Sequence, residues 1–346
     1  MKTIRLLVVA VLMASIVWGT MPAGSSSAAQ APGSAPPAMK PQMLRYSGAN
    51  PPAHHSSIVQ RWFADQLEKR TNKLITVEVY QSAELYKHRE AVDAVINGAV
   101  EMAYCSGGHW GGRTPLFGFY NYVGMLEDMD HYHRSVDQLY ALLDPYFEKQ
   151  GVKLIHFIGY GHNAYAGKKK VLLPSDLKGM MIRGQNSAFN AFLKAMGATT
   201  ARMSSAEVYD AMAKGALDGS VSGWSTVRTE KWPEIVQYYT SPINCGVFVT
   251  FMNLKKWKSI PEYYQKTILD VGKAAQKISF ELAVADDAKG IEYAKTKADV
   301  TILNRQQLAK WQEAGRGTWK LWLDACDKRG VGDAARKLMN ILDATR

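Results

Sequence analysis

The order of hydrophobic and polar residues predicts alternating strands and helices in the first part of the chain. Leu74–Tyr80 (LITVEVY) alternates and is rich in β-branched residues, which is typical of a strand. Apolar residues recur at helical spacing from about Ser56 to Arg70, between this strand and a short one that begins at Leu44. Strand, helix and strand of these lengths predict a βαβ unit, and parallel sheets bind ligands at the carboxyl ends of their strands.

Further along, the pattern predicts more buried strands and then a helical C-terminal region. The predicted strands are Leu154–Gly159 (LIHFIG) and Pro242–Asn253 (PINCGVFVTFMN). The predicted helical segments are 185–196, most of 257–297 and all of 303–345, and we expect the last two to pack outside the sheets.

An internal repeat is the most informative part of this pattern. Residues 90–101 (EAVDAVINGAVE) and 207–218 (EVYDAMAKGALD) align at an offset of 117 residues. Each copy predicts a short helix, a glycine suited to a left-handed helix stop (Gly98 and Gly215) and an apolar strand. Ser204 and Glu207 also have capping-box spacing at the start of the second helix. The repeat predicts two similar α/β lobes with a cleft between them; chance similarity of two amphipathic helices is the alternative.

The N-terminus predicts export. Lys2 and Arg5 precede an apolar run over 6–19, and small residues follow, which is the layout of a secretory signal peptide. We expect a signal peptide over 1–29, cleaved near Ala29, and a flexible leader over 30–41. No later segment is long and apolar enough to span a membrane, so we expect a soluble exported protein.

Composition and charge narrow the range of possible functions. The length of 346 residues suggests about two domains, and 47% hydrophobic residues are ample for a core. The net charge of +11 would attract anionic ligands or membrane surfaces. The positive charges are scattered and no nucleic-acid-binding motif occurs. Cys105, Cys245 and Cys326 form no metal or redox motif, so we expect three small buried side chains, with any disulfide left open. We expect neither a metal nor another cofactor.

Arg183 is the most specific candidate for a residue that binds a ligand. In DLKGMMIRGQ (176–185), a short apolar strand ends in Arg183 and then Gly184. A buried arginine needs a partner, and its planar fork of donors suits a carboxylate. The partner is either a protein carboxylate in a structural ion pair or a ligand from solution.

Small, polar and aromatic residues follow the strands of both repeats. Small residues let backbone amides approach a ligand, and tryptophan supplies a flat wall. We expect the two loops to face each other across the cleft, with the following candidates: Ser106, His109 and Trp110 in the first loop, and Ser222 and Trp224 in the second. No G-x-S-x-G, H-E-x-x-H, P-loop or G-x-G-x-x-G signature occurs.

A longer set of motifs resembles one family. The motifs are Asp176-Leu177-Lys178-Gly179, Ile182-Arg183, Gly197-Ala198, Glu207-Val208-Tyr209 and Gly215-Ala216-Leu217-Asp218-Gly219. Together they resemble the signature of the DctP-type extracytoplasmic solute receptors, the binding subunits of TRAP (tripartite ATP-independent periplasmic) transporters. The likeness extends from about Leu44 to the C-terminus.

The resemblance implies an α/β, two-lobed periplasmic-binding-protein fold (type II-like) that closes on its ligand. Each lobe would be a β-sheet flanked by helices, with lobe I over 42–160 plus 249–288 and lobe II over 161–248 plus 289–346. The implied function is capture of a small organic acid and its delivery to TRAP permease membrane subunits in a transient contact, by a monomer that is not an enzyme.

The resemblance also implies roles for particular residues. Arg183 matches the arginine that clamps a substrate carboxylate. Where some sialic-acid receptors have a second arginine this chain has Asn163, and their cleft glutamate, phenylalanine and asparagine fall near Ser106, Ser205 and Ser222. These departures argue against sialic acid. Trp110 and Trp224 suggest a flatter, partly apolar cleft, and a single carboxylate clamp favours a small or aromatic monocarboxylate over a polyanion. His109, Asn163 and the three serines would tune hydrogen bonding to the rest of the ligand.

Two other functions stay open at this point. An exported enzyme on the same scaffold would need a nucleophile and a base, for which only Cys105 or Ser106 with His109 are available. A sensor that passes its ligand signal to a membrane receptor would look the same in sequence as a transport receptor.

Overall fold

A computed structural model describes residues 37–346. The predicted signal peptide over 1–29 and most of the predicted leader lie outside these described residues. Residues 38–346 form one compact unit.

The described chain contains one hydrogen-bonded sheet of nine strands in the order β2-β1-β3-β8-β4-β7-β5-β6, with β9 paired to β8. The strands are β1 Gln42–Ser47, β2 Ile75–Tyr80, β3 Met102–Ser106, β4 Val152–Gly167, β5 Met181–Arg183, β6 Thr199–Ala201, β7 Gly219–Gly223, β8 Tyr238–Asn253 and β9 Asp299–Ile302.

Helices cover the sheet on both sides, which confirms the predicted α/β class. They are α1 His55–Arg70, α2 His88–Ile96, α3 Met129–Lys149, α4 Ser187–Ala195, α5 Ser205–Ala213, α6 Trp224–Thr229, α7 Leu254–Lys258, α8 Glu262–Lys295, α9 Arg305–Lys328 and α10 Gly332–Ala344. The C-terminal segment predicted as helical throughout is divided into α9 and α10 at Gly330, which has a φ of 69°.

Strands β4 and β8 join two halves of the sheet. They pair antiparallel over almost their whole length, from Val152↔Asn253 to Gly167↔Tyr238. One end of the pair carries β3, next to β1 and β2, and the other end carries β7, next to β5 and β6. The sequence pattern predicted only the start of β4, because its second half is interrupted by glycines and polar residues. The register shifts at three places, and the shift between Gly159 and Gly161 lies between the part of the pair that carries β3 and the part that carries β7.

The repeat appears in the structure at the same offset of 117 residues. Helices α2 and α5 both have nine residues, strands β3 and β7 both have five, and the bounds of each pair differ by the repeat offset. Gly98 and Gly215 stop the two helices with φ values of 75° and 78°. The second helix starts as predicted, with the Ser204 backbone N–H donating to the Glu207 carboxylate at 2.6 Å.

The conformation of Gly215 gives a prediction about stability. We expect Gly215→Ala to lower the free energy of unfolding by about 1 kcal/mol, because an L-residue is strained at positive φ. Gly317→Ala is the matched control, since Gly317 lies in the exposed part of α9 with no atom within 4 Å of an added Cβ. The control should raise the free energy by roughly 0.5–1 kcal/mol. Urea unfolding of both variants tests this, and shifts of the same sign would contradict it.

Candidate ligand-binding site

Arg183 ends strand β5 with its side chain buried at 6% exposure. Strand β5 lies between β6 and β7 and runs parallel to both. The guanidinium donates from Nε and Nη2 to the backbone carbonyl of Met203, at 3.3 Å for each nitrogen. Met203 lies just before α5, so the fold holds the guanidinium between the carboxyl end of a parallel strand and the start of a helix.

The guanidinium has no carboxylate partner among the described residues. None of the ion pairs there includes Arg183, and Glu207 accepts hydrogen bonds from Ser204 instead. Burial lowers the pKa of Arg183 to about 10, so it stays charged at neutral pH. Two of its five N–H donors share one carbonyl, and a buried charge with so few partners is costly. The geometry therefore fits a carboxylate that arrives from solution.

Amide side chains lie next to this segment. Asn163 of β4 donates from Nδ2 to Oδ1 of Asn244 at 3.1 Å, and its own Oδ1 accepts from Nε2 of Gln185 at 2.5 Å. Gln185 is two residues after Arg183. This chain of amides is uncharged, so at this place the structure offers hydrogen bonds rather than a second positive charge.

Ser106 is linked to the start of helix α4. Its Oγ donates to Oδ1 of Asn121 at 3.2 Å, and the same Oδ1 accepts from Nδ2 of Asn186 at 2.6 Å. Asn186 caps α4, the helix that follows Arg183. Ser106 therefore belongs to a hydrogen-bonded connection between the loop after β3 and the segment after β5.

The other two candidate serines lie on the opposite repeat. Ser222 is buried in β7, and its Oγ is 3.3 Å from the hydroxyl of Tyr160. The same hydroxyl is 2.7 Å from Oγ1 of Thr226. Ser205 is the half-buried first residue of α5, two residues after the carbonyl that holds Arg183.

His109 lies in the short 3-10 turn after β3 and stacks on His88 of α2. The ring centroids are 5.9 Å apart with an interplanar angle of 17°. Burial, with smaller contributions from the charges of His88, Arg89 and Arg183, lowers the pKa of His109 to about 3. His109 is therefore a neutral imidazole near Arg183, and its buried Nδ1 has no hydrogen-bond partner among the described residues.

Both candidate tryptophans are fully buried in the core. The ring of Trp110 makes edge contacts with Phe117, Phe147 and Phe251 at 5.0–5.4 Å. Trp224 donates from Nε1 to Oγ of Ser241 at 3.0 Å. The predicted role of these indoles as ligand walls stays a prediction, and what the structure gives them is a packing role behind the two loops.

Sequence reasoning missed several residues around Arg183. Tyr160, His88 and Gln185 have no motif of their own. The signal for Tyr160 was its place in Tyr160-Gly161-His162-Asn163, directly after an apolar strand. His88 and Gln185 come near the site only through the packing of α2 and the turn after β5, which no local pattern reveals.

The cavity and the cysteines in the described part of the chain are separate from these candidate residues. A cavity of about 340 Å³ opens between α3, β4 and α8, and its lining contains none of them. Cys105, Cys245 and Cys326 are buried free thiols, which confirms their prediction as small buried side chains. The described residues hold no group of three or more His, Cys, Asp or Glu side chains that could bind a metal ion.

The fold and the site together define a class of protein. Residues 47–324 match the family "Bacterial extracellular solute-binding protein, family 7", also called DctP. This range includes Arg183 and all the other candidates. The chain belongs to this family of solute-binding receptors, as the resemblance in sequence predicted.

Curated relatives are similar over most of the chain. A solute-binding protein of Albidiferax ferrireducens is 27% identical over 267 residues, which are 75% of this chain and 79% of the relative. The C4-dicarboxylate-binding periplasmic protein DctP of Rhodobacter capsulatus is 24% identical over 81% of this chain and 86% of its own.

Solved structures share the fold. A TRAP periplasmic solute binding protein from Desulfovibrio salexigens, with bound orotic acid, superposes with a TM-score of 0.81 at 20% identity over 88% of this chain and 98% of its own. One from Sulfurospirillum deleyianum, with bound succinate, gives 0.77 at 24% identity over 89% and 100%.

None of the helices in the described part of the chain has the length and apolar character needed to cross a membrane.

Proposed function

We propose that this protein captures a small organic acid and that Arg183 binds its carboxylate through two parallel hydrogen bonds. The observation that carries the proposal is the buried guanidinium without a carboxylate partner among the described residues. Charge-assisted, bidentate pairs of this kind are the strongest hydrogen bonds available to a binding site. Both structural neighbours described above have an organic acid bound, which agrees with this chemistry.

The remaining candidates would shape the rest of the site. A second arginine at the position of Asn163 would favour a dianion. Asn163 would instead offer an uncharged amide. Ser106, Ser205, Ser222 and His109 would provide neutral hydrogen-bonding groups. Trp110 and Trp224 would support the two loops from the core. Direct contact between these indoles and a ligand stays a prediction.

The ligand would bind between two lobes, with lobe I over 42–160 plus 249–288 and lobe II over 161–248 plus 289–346. The junction of the two sheet halves at the register shift after Gly159 supports this division. Closure around the ligand would exclude water and strengthen the carboxylate–Arg183 pair. The closed form would then deliver the acid to a TRAP-type permease in the membrane, as a monomer.

We place this activity in the periplasm, after removal of the signal peptide over 1–29. Two facts support that place: the membership of an extracellular binding family, and the signal-like N-terminal sequence.

An exported enzyme finds little support at this site. Burial raises the pKa of Cys105 well above its usual range, which opposes a reactive thiolate. The hydroxyl of Ser106 donates to Asn121 and has no hydrogen bond to His109. We therefore propose a receptor without catalytic activity; a sensor that signals the same ligand would use the same site.

The first test compares acids with their neutral amides. We expect at least one small acid, among succinate, malate, benzoate and orotate, to raise the melting temperature of the mature protein in a thermal-shift screen. The matching amide should leave it unchanged, because only the ionised carboxylate pairs with Arg183. Stabilisation by acid and amide alike would contradict the proposal.

A further inference from the structure

Five aromatic rings form a continuous cluster near Arg183. Tyr160 stacks on His54 with ring centroids 5.7 Å apart, and it contacts Phe248 at 4.7 Å. Phe248 contacts His88 at 5.3 Å, and His88 stacks on His109 at 5.9 Å. We call these five residues the aromatic cluster. It joins the N-cap of α1 with α2, β4, β8 and the turn after β3, so it lies where distant parts of the chain meet.

The aromatic cluster and Arg183 share one electrostatic environment. The positive charge of Arg183 helps to lower the pKa of His88, to about 4, and of His109, to about 3, although burial is the larger cause for both. Taken as whole residues, His88 and His109 are half-buried. Uncharged, flat surfaces therefore lie beside an arginine that lacks a carboxylate partner.

His54 adds a hydrogen-bond donor with a defined position. The backbone N–H of Ser56 donates to Nδ1 of His54 at 3.2 Å, so Nδ1 carries the lone pair. Burial holds the pKa of His54 well below its usual range, so the ring is neutral and its proton lies on Nε2. This Nε2–H group is fully buried and has no acceptor among the described residues.

Buried polar atoms in folded proteins almost always have a partner. Among the described residues, Arg183 has no carboxylate partner and Nε2 of His54 has no acceptor, while the ring of His54 stacks on Tyr160 of the aromatic cluster. One ligand that carries a carboxylate and a second oxygen would satisfy both groups, with a flat ring packed against the cluster.

We propose that the aromatic cluster is the second half of the ligand site and that its ligand is a flat, ring-bearing carboxylic acid. The carboxylate pairs with Arg183, the ring packs against the cluster, and an oxygen substituent remote from the carboxylate accepts from Nε2–H of His54. This inference rests on the proposed function, since it assumes that Arg183 binds a carboxylate.

Four simple acids test it by isothermal titration calorimetry on the mature protein. Benzoate and cyclohexanecarboxylate have the same charge and nearly the same size but differ in flatness. 3-Hydroxybenzoate and 4-hydroxybenzoate add the remote oxygen at two positions. We expect benzoate to bind about fivefold more tightly than cyclohexanecarboxylate through ring contacts. One hydroxybenzoate should bind about fivefold more tightly than benzoate through one hydrogen bond.

Two variants separate the contributions. His54→Asn keeps a side-chain acceptor for the start of α1 but removes the Nε2–H donor. The ratio of the affinity for the hydroxybenzoate to the affinity for benzoate should therefore fall to about one. Phe248→Leu keeps an apolar side chain without a ring, so the preference for benzoate over cyclohexanecarboxylate should fall. The control is His133→Asn, an exposed imidazole of α3 outside the cluster, and it should keep both preferences. Each preference is a ratio within one protein, so a partial loss of folded material does not change it.

The outcomes separate the two proposals. Equal binding of benzoate and cyclohexanecarboxylate, or a hydroxybenzoate preference that survives His54→Asn, would overturn the inference while leaving the proposed function intact. Tighter binding of succinate than of any ring acid would also overturn it. Failure of every acid to bind better than its amide would overturn the proposed function and this inference with it.

Discussion

Arg183→Gln is expected to weaken binding of the preferred acid by more than about 30-fold. Removal of one partner from a buried, hydrogen-bonded charge pair costs about 2 kcal/mol or more, and each 1.4 kcal/mol is a factor of ten in affinity. Glutamine keeps most of the side-chain length and some hydrogen bonding, so the loss reports the charge and the fork of donors. Calorimetry with the acid found in the thermal-shift screen measures it.

Two further variants sharpen this prediction. Arg183→Lys keeps the charge but presents a single ammonium group, so it should still lose about tenfold. Arg202→Gln removes an exposed arginine close in sequence and should change the affinity less than twofold. Undiminished affinity in Arg183→Gln would mean that the ligand binds elsewhere.

The second large effect is expected on stability, at Asp286 of α8. Its side chain is buried, and its Oδ1 accepts from Nη2 of Arg228 at 2.7 Å, while Oδ2 accepts from Oγ of Ser225 and lies 3.5 Å from Nδ1 of His55. Helices α1, α6 and α8 therefore meet at one carboxylate. Asp286→Ala leaves Arg228 without its anion and should lower the free energy of unfolding by about 3 kcal/mol.

The matched control is Asp270→Ala, which breaks an exposed pair between Asp270 and Lys266 on the same helix. That change should cost less than about 0.5 kcal/mol. Chemical unfolding at pH 7 compares the two variants. Similar losses would show that the carboxylate of Asp286 contributes no more than a surface charge.

The effect of Asp286 should also depend on pH. Burial alone would raise the pKa of Asp286, but the hydrogen bond from Ser225, the charge of Arg228 and the nearby imidazole of His55 outweigh it and hold the pKa well below its usual range. A lowered pKa in the folded state stabilises the fold above the ordinary value of about 4, and this contribution disappears as the pH falls through the lowered pKa. The difference between the wild type and Asp286→Ala should therefore be full at pH 7 and shrink below about pH 4.

Local patterns predicted the parts of this fold that local physics determines. The two copies of the repeat have matching helix and strand bounds, because each combines an amphipathic helix, a positive-φ glycine and a short apolar strand. Arg183 stood out because a charge at the end of a buried strand conflicts with its surroundings. The resemblance added the family, which the match over 47–324 confirms.

What the sequence could not predict depends on contacts between distant segments. The second half of β4 is a strand because β7 and β8 pair with it on both sides, despite its glycines and polar residues. The aromatic cluster brings together rings from five separate segments. Asp286 resembles any other acidic residue of a long helix until α1 and α6 pack against it.

We propose that the missing partner of Arg183 is a carboxylate that arrives from solution. The most direct measurement is a crystal structure of the mature protein with the acid selected by the thermal-shift screen. We predict a carboxylate with both oxygens within hydrogen-bond distance of the Arg183 guanidinium. A bound acid in the cavity between α3, β4 and α8, or a guanidinium that pairs with a carboxylate of the protein itself, would contradict the account.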